Sequence, residues 1–149
     1  MPKNATKASA TQAAVKSAME AAFAATYAAY FKAHSAHWNV RGPQFPSLHA
    51  MLETQYQDLW EALDGVAERL RAWDLDAPSS LPAAKALPGG TRWQDLLADL
   101  LKAHRDAITV LRRGVDDLAA AGDAAGADYL TGRLAEHEKA AWMISATLA

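Results

Sequence analysis

The sequence predicts an all-α chain folded as a four-helix bundle, and three observations carry the prediction. Alanine is abundant, while glycine and β-branched residues are sparse before residue 89, a composition that favours helix. Apolar residues recur at helical spacing through four long stretches. The helix breakers gather in three places: around Gly42, between Asp74 and Gly90, and at Gly122.

The first helix is expected from about Ser9 to His37, with Ala22, Phe23, Tyr27, Tyr30 and Phe31 supplying bulk at helical spacing. The segment Asn39–Pro46, with Gly42, Pro43 and Pro46, must break it. Ser47 is the expected N-cap of a second helix reaching about Trp73, whose apolar stripe is Leu52, Leu59, Leu63, Val66 and Leu70. Asp74–Gly90 carries Pro78, Pro82, Pro88, Gly89 and Gly90 and reads as a long connection with one short turn near Ala83–Leu87. Thr91 and Gln94 fit a capping box, so a third helix is expected from about Arg92 to Ala121, with Gly122 just past its end. Asp123 then caps a fourth helix running to about Leu148.

Helices of about 25–29 residues are each roughly 40 Å long. The first and third connections are short, so each joins an antiparallel hairpin. The second, at about 3.3 Å per residue, can run the length of the bundle. Two hairpins joined by one long crossover form the ferritin-like arrangement rather than a simple up-down-up-down bundle. One domain is expected in 149 residues, spanning 9–149, behind a flexible tail of residues 1–8.

Composition excludes several function classes. There is no cysteine, so a disulfide or thiolate metal site is impossible. The net charge of −2 gives no general drive towards nucleic acid. The alanine-rich stretch Ala13–Ala36 is interrupted by Lys16, Glu20, Lys32 and His34, and no apolar run reaches the roughly 18 residues of a membrane span. No signal-peptide pattern follows a charged start. A cytoplasmic or nucleoid-associated protein is the expectation.

The chemistry concentrates in residues 34–68, where His37, His49, Glu53, Asp64 and Glu68 offer neutral imidazole and carboxylate, a set suited to ferrous iron and other borderline divalent metals. At about 100° per residue, His49, Glu53, Asp64 and Glu68 share one arc of roughly 100° on the second helix. At about 1.5 Å per residue, however, Glu53 and Asp64 lie about 16 Å apart along the axis, against metal–ligand bonds of about 2 Å. One chain therefore cannot close the site. Two copies of the helix, antiparallel across a two-fold axis near Asp58 and Leu59, bring His49 and Glu53 of one against Asp64 and Glu68 of the other, giving two identical sites per dimer. No Glu-x-x-His occurs anywhere, which removes the usual signature of a di-iron site inside one bundle.

The run AHWNVRGPQFPSLHAMLETQYQDLWEALDGVAERLRA, together with RLAEHEKAAWM near the end, resembles the Dps proteins, the mini-ferritins of bacteria and archaea. The resemblance extends from about Ala18 to Ala149. It implies a shell of twelve subunits with ferroxidase sites at its two-folds, where residues of the His37 and His49 type from one subunit hold iron with the Asp64 and Glu68 type from its neighbour. It further implies oxidation of Fe2+ to Fe3+, preferably by hydrogen peroxide, storage of ferric mineral, protection of DNA from oxidative damage, and room for two metals per site. It also implies acidic ion pores near three-fold axes, where Asp116, Asp117, Asp123 and Asp128 are the nearby acids. The chain departs at Glu53, where the family often carries aspartate, so Glu53 is the least secure ligand of the five.

Plainer readings stand beside these. His49 and Glu53 suit an ordinary hydrogen-bonded pair one turn apart, His37 a packed helix-end residue, and Asp64 with Glu68 a pair bridged by Arg71 or another arginine. A zinc ion held structurally by the same cluster is a further alternative. His34, His104 and His137 read as helix-surface or interface residues. Trp142 reads as packing, and Trp38 as either packing or an aromatic that intercepts oxidising equivalents. Tyr56 and Trp60 lie within about 20° of His49 and suit a dimer interface. Residues 1–19 carry Lys3, Lys7 and Lys16 and no acid, so nonspecific DNA binding through this basic tail, multiplied over a shell, is the competing function.

Overall fold

The computed structural model describes the backbone of residues 3–81 and 92–149, and the side chains from residue 9 within those ranges. These form four helices and no strand: α1 (Lys3–Asn39), α2 (Phe45–Ala72), α3 (Trp93–Ala121) and α4 (Ala124–Leu148). The short turn expected near Ala83–Leu87, and Thr91 of the expected capping box, lie outside the described residues.

α1 starts six residues before its expected boundary, at Lys3. α2 starts at Phe45 rather than after Ser47, and its N-cap is Gln44, which makes no side-chain cap. Proline explains the difference. Pro46 sits in the first turn, where its missing N–H has no helical partner to lose, so it opens the helix instead of delaying it. The Ser47 hydroxyl then donates back to the Gln44 carbonyl at 3.0 Å. Gly42, at φ 109°, makes the turn out of α1.

Two helix ends use the same device. Beyond α3, Gly122 adopts φ 84°; its N–H donates to the Ala119 carbonyl, and the N–H of Asp123 to Leu118. Beyond α2, Asp74 takes the left-handed position at φ 56°, with the N–H groups of Asp74 and Leu75 donating to Arg71 and Leu70. Asp123 caps α4 as expected, accepting from the Gly126 N–H at 3.1 Å.

The apolar core falls into two clusters, and their membership fixes the topology. One joins Ala29, Ala33 and Ala36 of α1, with Val40 just past its end, to Leu48–Leu59 of α2, Leu96–Ala103 of α3 and Ala141 with Ile144 of α4. The other joins Val15–Phe23 of α1 to Leu63–Leu70 of α2, Leu111 with Leu118 of α3 and Leu130 of α4. α2 and α3 therefore enter at the same end and run parallel, so the connection between them links opposite ends of the bundle. Alanines at 22, 29, 33 and 36 let α1 approach its neighbours closely. The stripe Leu52, Leu59, Leu63, Val66 and Leu70 is fully inward. α2 and α4 are tied by longer side chains: Arg133 clasps Asp58 with two bonds of 2.9 and 2.6 Å, Arg69 reaches Asp123 at 2.7 Å, and the Tyr129 hydroxyl donates to the Ala62 carbonyl at 3.1 Å.

Between the two clusters lie His104 and His137. Both are 1% exposed, against the expectation that they sit on the surface or at an interface. Each occupies its helix's apolar register: His104 falls between Leu101 and Leu111, His137 between Leu130 and Ile144. Their Nδ1 atoms are 3.0 Å apart in a direct hydrogen bond. Burial pushes His104 down to about 4, with Arg133 adding to the fall and Asp58 opposing it. Burial, then His104, then Arg133 push His137 down to about 3, again against Asp58.

Two predictions follow from this packing. A Cβ at Gly65 would collide with the Tyr129 ring, so Gly65→Ala should cost about 1–3 kcal/mol in denaturant unfolding, whereas Gly132→Ala, with open space around it, should not. The buried histidines are neutral when folded and titrate near 6.5 when unfolded. Stability is thus full above that value and falls as pH drops towards the folded values. Between pH 7 and 5 the pair should remove roughly 2–4 kcal/mol, and most of that slope should vanish in His104→Gln/His137→Gln; a slope unchanged by the substitutions would contradict the assignment.

Candidate metal centre

The elbow between α1 and α2 brings His37 and His49 together. His37 ends α1 and is 8% exposed, while His49 stands in the first turns of α2. Their rings stack with centroids 3.7 Å apart. The Nδ1–H of His37 donates to the His49 carbonyl at 2.9 Å, and the Nδ1–H of His49 donates to the His37 carbonyl at 3.0 Å. A carbonyl can only accept, so each Nδ1 must carry its proton. Both Nε2 atoms are thereby left with a lone pair, the tautomer that a metal-ligating histidine presents when its other nitrogen is held by a backbone carbonyl. His49 is thus not paired with Glu53; its available proton is already spent on the main chain.

The carboxylates stand elsewhere. Glu53, Asp64 and Glu68 all project from α2 and are exposed. α2 is continuous from Phe45 to Ala72, which keeps His49 and Asp64 about 22 Å apart along its axis. Among the described residues, no three His, Asp or Glu side chains converge on one point within the chain. Arg71, the expected bridge between Asp64 and Glu68, turns instead to the Leu75 carbonyl and to Asp76. Among the described residues no cation lies within ion-pair distance of Glu53, Asp64 or Glu68. Asp64 and Glu68 are therefore like charges one turn apart without compensation, an arrangement that costs free energy on a bare helix.

An aromatic cluster backs the histidine pair. His34 stacks on Tyr56 at 3.8 Å and 12° and lies 4.0 Å from Trp38, while its Nδ1 shares a hydrogen bond of 3.1 Å with the Tyr30 hydroxyl. Burial, then the neighbouring His37, lower the His34 pKa. Burial, then Tyr27 and Tyr56, raise that of Tyr30. His34 is thus wedged among aromatics rather than free on the helix surface. Tyr56 also meets His37 edge-on at 5.1 Å.

Three tryptophans face outward: Trp38 at 62%, Trp60 at 61% and Trp142 at 68% exposure. For Trp142 this reverses the expectation of packing, because among the described residues no neighbour covers it. Of the acids near the α3–α4 turn, Asp123 is buried by its cap and by Arg69, Asp117 lies 3.7 Å from Arg113, and Asp116 and Asp128 are exposed.

Comparison with known proteins agrees with this architecture. A ferritin-like domain description matches residues 16–149. A low temperature-induced protein of Nostoc is 36% identical over 76% of the chain and 68% of its own length. The DNA protection during starvation protein of Agrobacterium fabrum is 32% identical over 74% of the chain and 73% of its own length. The crystal structure of a Dps protein from Bacillus brevis superposes with a TM-score of 0.87 at 28% identity, covering 94% of this chain and 98% of that one. Four helices in the crossover topology, a domain match across nearly the whole chain and relatives of this kind place the chain in the Dps family of ferritin-like proteins.

Proposed function

We propose that this chain is a ferroxidase and iron store whose sites form across two-fold subunit interfaces. The observation that carries the reading is the reciprocal clasp of His37 and His49, which spends both Nδ1 protons on carbonyls and leaves each imidazole a lone pair on Nε2. The second half of the ligand set is the uncompensated Asp64 and Glu68 of a neighbouring α2, with Glu53 beside the histidines. The exposed Trp60, between Glu53 and Asp64 on α2, supports an apolar interface at the same place.

In this reading Fe2+ is substrate and cargo. Neutral imidazole suits the ferrous ion, and carboxylate suits the harder ferric product, so the mixed set serves both sides of the oxidation. Each of two ferrous ions gives one electron to a hydrogen peroxide molecule, whose O–O bond breaks. Its oxygens leave as hydroxide and oxide on the ferric product, with release of protons from water. Iron and peroxide are consumed together, which withholds the reactants of hydroxyl-radical formation and protects DNA. The ferric product collects inside a closed shell, twelve subunits being the size that the family resemblance implies. The protein is further proposed to work in the cytoplasm or on the nucleoid; no described helix is long and apolar enough to cross a membrane.

A second reading gives the chain nonspecific DNA binding through Lys3, Lys7 and Lys16 in an acid-free amino-terminal stretch. It rests on phosphate neutralisation summed over many copies.

Anaerobic addition of ferrous iron with stoichiometric hydrogen peroxide tests the first reading. Ferric absorbance should rise fast with soluble product, and His49→Ala/Glu68→Ala should slow it by at least about tenfold; equal rates would remove the site assignment. For the second, DNA retardation at low salt should weaken steeply with added salt and disappear in Lys3→Ala/Lys7→Ala/Lys16→Ala. Retention of the shift in that variant would exclude the tail as the DNA contact.

A further inference from the structure

The centre of the bundle holds polar chemistry that the interface site does not use. The Nδ1–Nδ1 hydrogen bond between His104 and His137 requires opposite tautomers, one ring donating and the other accepting. One ring therefore carries a lone pair on Nε2 and the other a proton there, and neither Nε2 has a partner among the described residues. Gln55, 8% exposed on α2, leaves both its amide oxygen and its amide nitrogen without partners as well. Orphaned buried groups are each costly, and the three residues that carry these, Gln55, His104 and His137, line one cavity of about 60 Å³. That volume accommodates an ion with a bound water.

We propose that His104, His137 and the Gln55 carbonyl form a second metal site, enclosed in a single subunit, for a borderline divalent cation of the zinc or copper class. The cation takes the place of the proton shared between the two Nδ1 atoms. Two metal–nitrogen bonds of about 2.0 Å at a tetrahedral angle set the nitrogens about 3.3 Å apart, close to the 3.0 Å they already keep. Gln55 supplies the third donor, and water fills the fourth position. Asp58 lies against the same cavity but is held bidentately by Arg133, so the nearest charges cancel and the donor set stays neutral and nitrogen-rich. Such a set disfavours magnesium and calcium and ranks zinc and copper above ferrous iron. It differs from the interface site, which needs two chains and carboxylates.

Binding conserves protons. The ring that donated through Nδ1 moves its proton to Nε2, and none is released.

The test uses the full chain carrying His37→Ala/His49→Ala, which disables the interface site and separates this proposal from the ferroxidase reading. After incubation with Zn2+, and separately Cu2+, followed by exhaustive dialysis, one metal per chain should remain. Adding His104→Gln/His137→Gln should abolish retention, and Gln55→Leu should weaken it by at least about tenfold. Should the histidine variant fail to fold by circular dichroism, Co2+ added to the background protein should still give the strong visible absorption of a four-coordinate site, lost in Gln55→Leu. A folded background protein that retains no metal, or variants that retain it equally, would overturn the proposal and leave the cavity to water.

Discussion

The stiffness of α2 governs everything the candidate centre can be. An unbroken helix from Phe45 to Ala72 carries both His49 and the carboxylates of the proposed ligand set, and its rise per residue keeps them apart. No loop movement within the chain shortens that distance, because both ends stand on the same rigid rod. In the proposed reading, such a site is completed by a second rod lying alongside. Among the described residues, α1 and α4 pack against α2 while Glu53, Trp60, Asp64 and Glu68 stay exposed.

In the proposed reading, the clasp of His37 and His49 prepares the chain's half of the centre. Turning the rings to donate through Nδ1 satisfies two carbonyls at a helix junction and orients two lone pairs without any further residue. Tyr56, itself stacked on His34, meets the His37 ring edge-on, and Phe45 lies 4.8 Å from the His49 ring. The same side-chain type behaves oppositely in the core, where His104 and His137 spend their protons on one another and leave their remaining nitrogens unmet.

The helices and their order were legible because long apolar periodicity and clustered breakers are strong local signals; the stripe Leu52–Leu70 is buried as read. The failures were local or long-range. The sequence puts Pro46 at the end of the break, whereas it opens α2; both outcomes follow from its missing N–H. The pairing of His104 with His137 spans 33 residues and needs two helices in register; its one visible signal was that both histidines fall on apolar stripes, where a surface residue would not. Trp142 misled because a large aromatic usually packs, and only the assembled bundle shows which face it occupies. The separation of histidines from carboxylates was readable from helix rise alone, whereas the tautomer set by the clasp was not.

The central claim is that each centre draws histidines from one subunit and carboxylates from another. Mixed assemblies of two inactive chains test it most directly: His37→Ala/His49→Ala and Asp64→Ala/Glu68→Ala, unfolded together, refolded and assayed for peroxide-driven iron oxidation. In a mixed dimer one site receives both damaged halves and the other both intact halves. Random pairing should therefore restore about a quarter of the wild-type sites, with neither parent active alone. If assembly is verified and the mixture stays as inactive as its parents, the ligands belong to one chain and the account is wrong.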